Sequence, residues 1–201
     1  EKLQAAWNKE LNFQSIQTTD NVTLLEVLAD PVEVMEWNVK GLPKDDVSVE
    51  NGVIMKEARR WSLCVDPQRQ AIKYLANTGK AYSSGCSVVK PTSATMLRDI
   101  ELGIKLGKMV LLENVGESLD PSLEPLLLQQ KTGSKQKGWK LRFNDKELDY
   151  DDKFKFFMTT TLPNPHYSPE TSVKISIVNF AITVEGLQDQ MIGIAVLMES
   201  P

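Results

Sequence analysis

The chain is poor in the residues that build metal centres and covalent staples. It has one histidine, His166, and two cysteines, Cys64 and Cys86. A single histidine excludes a multi-histidine metal site. Two cysteines can form neither a disulfide framework nor a cysteine-based zinc site. Both lie in apolar, strand-like stretches and are read as reduced core residues. No apolar run approaches the ~20 residues that span a bilayer. Basic residues are also too few for a protein that grips phosphates: 23 Lys and Arg stand against 27 Asp and Glu, for a net charge of −4. That balance argues against nucleic acid held through backbone contacts. Trp7, Trp37, Trp61 and Trp139 are too scattered for a base-stacking platform. The opening Glu1-Lys2-Leu3 is not a secretory signal, and a start without Met reads as a piece cut from something longer.

What is present suits a globular fold. The length of 201 residues fits one domain, or one with a small extra piece. Hydrophobic residues at 41% and charged residues at 25% are near globular averages, which argues against disorder. A core of useful size needs no staples at this length.

The first 60 positions read as helical. Leu3, Trp7 and Leu11 fall on one helix face. Asp20-Asn21 offers an N-cap for a short helix through Leu28, and Asp30-Pro31 opens the next turn, through Trp37. Gly41-Leu42-Pro43 is a break. Lys44-Asp45-Asp46 looks like another helix entry.

From Trp61 the pattern alternates. Ser62 to Val65 is a short buried strand ending at Asp66-Pro67, and Gln68 to Ala76 is helical with Ala71, Ile72 and Leu75 on one face. Ser87 to Lys90 is a second strand, stopped by Pro91. Ser93 or Thr95 caps a helix through Leu106, whose buried stripe is Leu97, Ile100, Ile104 and Leu106. Gly107 ends it. Met109 to Leu112 is a third strand, and Asp120-Pro121-Ser122 opens a helix. Lys131 to Gly138 is polar and reads as a loop. Lys140 to Phe143 and Glu147 to Tyr150 form a hairpin about Asn144-Asp145. Phe154 to Thr159 and Lys174 to Phe180 are the fourth and fifth strands, joined through the proline-rich Pro163 to Pro169. Such alternation is the signature of an α/β fold: a mostly parallel five-stranded sheet flanked by helices, with an inserted β-hairpin.

Open sheets of this kind bind ligands beyond the carboxyl ends of their strands. Those ends are Asp66-Pro67, Glu113-Asn114 and Thr159-Thr160-Thr161. A phosphate-binding loop needs glycines to turn backbone N–H groups inward, a lysine for the outer phosphates and a hydroxyl for magnesium. The turn Asp66-Pro67-Gln68-Arg69-Gln70 has none of them. It puts a carboxylate where a phosphate would sit, and Pro67 removes a donor. Arg69 offsets one charge only if it points inward. The stretch Gly103 to Met109 only superficially resembles the motif and is a helix C-cap. Gly79-Lys80 is read as another C-cap.

Met109 to Glu113 has the general form of a Walker B element, an apolar strand ending in an acid. A hydrolase carries a second acid there, and this chain has Asn114, which cannot act as a base. A strand ending at a polar turn and a relic of a nucleotide site both fit Glu113. His166 is assigned a surface or packing role. Glu113 and Glu117 are read as solvated carboxylates rather than an acid–base pair, and no nucleophile elbow is present.

A series of segments then resembles one family in order and spacing. They include Trp37 to Pro43, Glu50 to Val53, Arg60-Trp61 and Val65 to Ala71. Leu111 to Glu117, Asp120-Pro121, Thr160 to Glu170, Val178 to Phe180 and Gly186 to Gln190 follow. Over nearly its whole length the chain resembles the fifth AAA+ module of a dynein heavy chain. The resemblance implies an AAA+ large-subdomain fold in a ring of six modules that moves along microtubules, with hydrolysis mainly in the first. It implies a structural module without catalytic residues or cofactor, passing motion between ring and stalk. The alternative is a regulatory module that holds ATP or ADP without turnover, in a degenerate site of Asp66, Pro67, Gln68, Arg69, Gln70, Glu113, Asn114 and Thr160.

The implied partners are neighbouring modules and the stalk and buttress of the same heavy chain. Microtubules are reached only through the whole motor, and nucleic acid and membranes are not partners. Asn164 to Glu170 resembles axonemal chains more than the cytoplasmic form, which implies a ciliary or flagellar axoneme. Residues 1–60 would be the helical lead-in after the stalk. Residues 61–201 would be the AAA+ core, with the small helical subdomain largely missing. Arg69 replaces a usual glycine, Ser62 to Val65 a usual Pro-Leu-Met-Ile, and Tyr74-Leu75 a usual Trp-Ile. Lys174 stands where many AAA+ modules carry an arginine that reaches the neighbour's nucleotide. It either contacts the fourth module's nucleotide or faces solvent.

Overall fold

A computed structural model describes residues 2–16, 24–134, 138–144, 146–182 and 184–199. The lead-in is helical: α1 (Lys2–Phe13), α2 (Leu24–Leu28), α3 (Pro31–Val39) and α4 (Asp46–Glu57). The expected cap Asp20-Asn21 lies outside the described residues. Asp30 caps α3 by accepting from the Val32 amide, with Pro31 in the first turn. Asp45 caps α4 by accepting from the Ser48 amide.

The core alternates strand and helix. It runs β1 (Ser62–Val65), α5 (Gln70–Lys80), β2 (Cys86–Val89), α6 (Met96–Leu106) and β3 (Met109–Leu112). A 3₁₀ turn (Pro121–Leu123) and α7 (Glu124–Leu127) follow. Next come β4 (Lys131–Ser134), β5 (Gly138–Phe143), β6 (Lys146–Tyr150), β7 (Lys155–Thr160), α8 (Pro169–Lys174), β8 (Ser176–Asn179) and α9 (Val184–Glu199). Five strands form a parallel sheet in the order β2-β3-β7-β1-β8, and β4-β5-β6 form a separate antiparallel sheet.

Strand period two sorts the core into two layers. Leu63, Val110, Leu112, Phe156 and Met158 point to one face, under α6 and the antiparallel sheet. Cys64, Met109, Leu111 and Val178 point to the other, with Ala71, Tyr74 and Leu75 of α5. Two glycines set how closely helices approach the sheet. A Cβ on Gly79 would lie 2.5 Å from Cys86, and one on Gly103 would lie 2.4 Å from Val110 Cγ2.

Several expectations need correction. Lys131 to Gly138 is not all loop, since Lys131–Ser134 pairs with β5 as an edge strand. An edge strand with exposed positions needs no apolar alternation, so its polar sequence hid it. Residues 135–137 lie outside the described residues. Gly79 sits inside α5, which continues to Lys80, and its role is close packing rather than capping. Leu106 is 53% exposed and leaves the α6 stripe, while Met96 joins it. Thr95 occupies the N-cap of α6 without bonding its amides, and its hydroxyl donates to Asp99. The fifth strand starts at Ser176, and Lys174 ends α8, which Ser168 caps by accepting from the Thr171 amide. Gly107, at φ 61°, ends α6 as expected. α9 follows the fifth strand, beyond the last element read from the sequence.

Candidate functional site

The strand order makes β1, β7 and β3 neighbours, so Asp66, Thr160-Thr161 and Glu113-Asn114 leave the sheet side by side. At the end of β1 the Asp66 amide donates to the Thr160 carbonyl, which continues the parallel ladder. The chain then turns through Pro67 and Gln68 into α5.

Asp66 is 2% exposed. Its Oδ1 accepts from the Gln70 amide at 2.7 Å and its Oδ2 from the Ile72 amide at 2.9 Å. The first amides of a helix have no partner within the helix and carry its positive dipole end, which favours an anion. Here the chain's own carboxylate fills that place. Burial pushes the Asp66 carboxyl upward from its ordinary range, against amide hydrogen bonds from Ile72, Gln70, Ala71 and Arg69 that pull it down. Pro67 lacks an N–H, as its sequence position implied.

Arg69 holds the N-cap position of α5 at φ 63°, in the left-handed region that glycine enters freely and other residues at a cost. Its guanidinium Nη2 lies 2.5 Å from Glu113 Oε1. Arg69 therefore does point across the site, toward the end of β3. The Glu113 side chain is only 15% exposed, so the acid is sheltered rather than freely solvated.

Asn114 also has positive φ, 59°. Its Oδ1 accepts from the Thr161 hydroxyl at 2.6 Å, and its amide donates to Thr159 Oγ1 at 3.4 Å. The Thr160 hydroxyl, fully buried, accepts from the Leu162 amide at 3.3 Å. Gln68 accepts from the Ile182 amide at 3.3 Å. The expected degenerate-site residues thus gather in one place, where Asp66 bonds to Gln70 and Thr160, Arg69 bonds to Glu113, and other bonds go to adjacent residues. Lys174 lies apart from them, on α8, paired with Glu124 and with its side chain 24% exposed. His166 is exposed, and its amide donates to Glu117 Oε1 at 3.2 Å.

Two clefts flank the turn. The larger, about 740 Å³, lies between the Gly41 to Asp45 break, Gln68 to Gln70, Lys73, and Gly186 and Ile192 of α9. The smaller, about 330 Å³, is lined by Arg69, Lys90, Pro91, Glu113, Asn114 and Thr161. Both fall in the size range of small-molecule sites. Sequence reasoning treated Gly41-Leu42-Pro43 only as a break and missed it as a wall of the larger cleft. Lys44, Lys73, Lys90 and α9 were missed too, because only the fold brings them near Arg69. Among the described residues, no group of three or more His, Cys, Asp and Glu is placed to hold a metal ion. Among them, too, no helix is long and apolar enough to cross a membrane.

Comparison with known proteins places this arrangement in a family. The chain is 43% identical over 197 residues to dynein axonemal heavy chain 6 of Homo sapiens, covering 97% of this chain and 5% of that protein. It is 44% identical over 195 residues to dynein axonemal heavy chain 1 of Rattus norvegicus, covering 97% of this chain and 4% of that protein. With human dynein axonemal heavy chain 3 the identity is 40% over 199 residues, covering 98% and 5% respectively. The chain thus spans about a twentieth of the length of the curated relatives it matches. The family model for the ATP-binding dynein motor region matches residues 35–201, and the chain belongs to that family.

Proposed function

We propose that the chain is a non-catalytic AAA+ module of an axonemal dynein heavy chain, the fifth in the ring, which passes conformational change toward the stalk. The observation that carries this reading is the Asp66 carboxylate on the first amides of α5. A phosphate at that helix end would meet a fixed negative charge within hydrogen-bond distance of the same donors, without a lysine or glycine loop to offset it. Asn114 supports it, since an amide in the second acid's place cannot take a proton from water. The neighbours in this reading are the adjoining modules, stalk and buttress of the same heavy chain, the setting is the axoneme, and microtubules are reached only through the whole motor.

A second reading, a regulatory module holding ATP or ADP without turnover, draws on the larger cleft. Its 740 Å³ and its lining of Lys44, Arg69 and Lys73 leave room for an anionic ligand beside the turn. The family's description as ATP-binding points the same way. The melting temperature with and without excess magnesium ATP or ADP separates the two. A ligand at ~100 times its Kd adds ~2.7 kcal/mol, a shift of roughly 5–10 °C at this size. The non-catalytic structural reading expects no shift, and a shift of that size favours the regulatory one.

Lys174 is the candidate contact to the neighbouring module's nucleotide, although within the chain it already pairs with Glu124. Lys174→Ala in the intact motor tests it. Unchanged fourth-module nucleotide affinity and unchanged speed would remove Lys174 from that role.

A further inference from the structure

The two clefts share Arg69 in their linings. Its backbone begins α5, and its side chain ends at Glu113 after β3, so one residue spans the gap between them. The arrangement is local and specific. The turn that carries Arg69 is fastened to α5 by Asp66, through the Gln70 and Ile72 amides. The turn that carries Glu113 is fastened to β7 through Asn114, Thr159 and Thr161. The Arg69–Glu113 pair joins these two fastened turns directly.

We propose that the Arg69–Glu113 ion pair is an internal latch. It holds the ends of β1 and β3 in one relative position without any ligand and closes the larger cleft from the smaller. This inference rests on the reading of the site as free of nucleotide. A bound anion and its counter-ion would otherwise connect these strand ends, and the chain supplies both charges itself: Asp66 at the helix amides, Arg69 at the strand acid. The left-handed φ of Arg69 fits this role. An L-residue at 63° is disfavoured relative to glycine, and the side chain held there is the long cation that reaches Glu113. Glu113 is sheltered while the Arg69 side chain is 62% exposed, so the pair is open to water and salt from the arginine side.

The test is amide hydrogen exchange on the wild-type chain and on Glu113→Gln, Arg69→Gly and the double variant. Glu113→Gln keeps the shape and removes the charge. Arg69→Gly suits the backbone and removes the side chain. The latch predicts that each single variant speeds exchange of the Gln70, Ile72 and Asn114 amides by roughly three- to tenfold. The double variant should be no faster than the faster single one, and α6 should be unaffected. Unchanged exchange in both turns, or effects that simply multiply in the double variant, would overturn it.

If a variant fails to fold, the wild-type protein carries the test alone. Raising salt to about 1 M shortens the screening length to about 3 Å. Exchange at these three amides should then quicken relative to α6, and salt-independent exchange overturns the latch. Melting with magnesium ADP is run beside it. A large shift in the wild type defeats the nucleotide-free reading on which the latch rests, whereas unaltered exchange without a shift defeats the latch and leaves that reading standing.

Discussion

Asp66 Oδ2 accepts the amide of Ile72, six residues further along the chain, at 2.9 Å, while its other oxygen takes the amide of Gln70. One side chain at the end of β1 thereby closes the first turn of the helix that follows. The same contact that caps the helix sets the chain's own carboxylate on amides that a phosphate loop keeps open.

Replacing Asp66 should therefore cost stability. Asp66→Ala leaves buried amides without an acceptor and is expected to destabilise by about 1–3 kcal/mol. Asp66→Asn keeps one acceptor and should cost less. Urea denaturation of the three proteins checks the order. Equal midpoints for all three would show that the contact contributes nothing.

The Asp66 contribution should depend on pH. Burial raises its carboxyl in the folded chain, so the folded state holds the proton more tightly than the unfolded one. Stability from this group is then full below the ordinary Asp value of about 3.9 and falls as pH rises through the higher folded value. The gap in denaturation midpoint between wild type and Asp66→Asn should shift against the wild type as pH is raised across that interval. A shift in the opposite direction contradicts the assigned cause.

Arg69 carries two opposed terms. Arg69→Gly loses the Glu113 pair but relieves the left-handed backbone, whereas Arg69→Ala loses the pair and keeps the backbone cost. Glycine should be the more stable of the two variants by roughly 1 kcal/mol. Chemical denaturation of both variants measures the difference directly.

Gly103 faces Val110 so closely that an added Cβ would lie 2.4 Å from Cγ2. Alanine normally favours a helix interior by about 1 kcal/mol over glycine. Here Gly103→Ala should instead destabilise, by about 1–3 kcal/mol from overpacking. Adding Val110→Ala should recover part of the loss, and calorimetric melting of the single and double variants reads it. A stabilised single variant would mean that α6 can move off the sheet freely.

Cys64 should resist thiol reagents in the native protein. Burial pushes its thiol well above the usual range, and the nearby Asp66 charge adds to the effect. Cys86 is half-buried and also raised by burial, so it should react first but slowly. Mass-resolved labelling gives the order, and labelling of Cys64 first would contradict the buried placement.

Much of this architecture is local in origin. The run Met109–Leu112 reads as a strand with the bounds observed, because four apolar residues between Gly107-Lys108 and Glu113-Asn114 admit little else. Asp45, Asp120 and Ser168 act as caps because a short polar side chain before a helix meets amides two or three residues on. The want of a phosphate loop was legible at Asp66 to Gln70 for the same reason: those residues supply no glycine, lysine or hydroxyl in sequence. Other features are not local. Lys131–Ser134 is a strand only because β5 lies beside it. Gly79 is indispensable only where Cys86 meets it.

The alternation of strand and helix, the two-faced strands and the residues of the first turn are encoded locally, since each depends on residues close along the chain. Tertiary structure alone decided that Arg69 meets Glu113, 44 positions away, that the break at Gly41 walls a cleft with α9, and that Lys174 pairs with Glu124. Those contacts follow from strand order in the sheet, which brings β1, β7 and β3 together, and no local pattern of residues encodes that order.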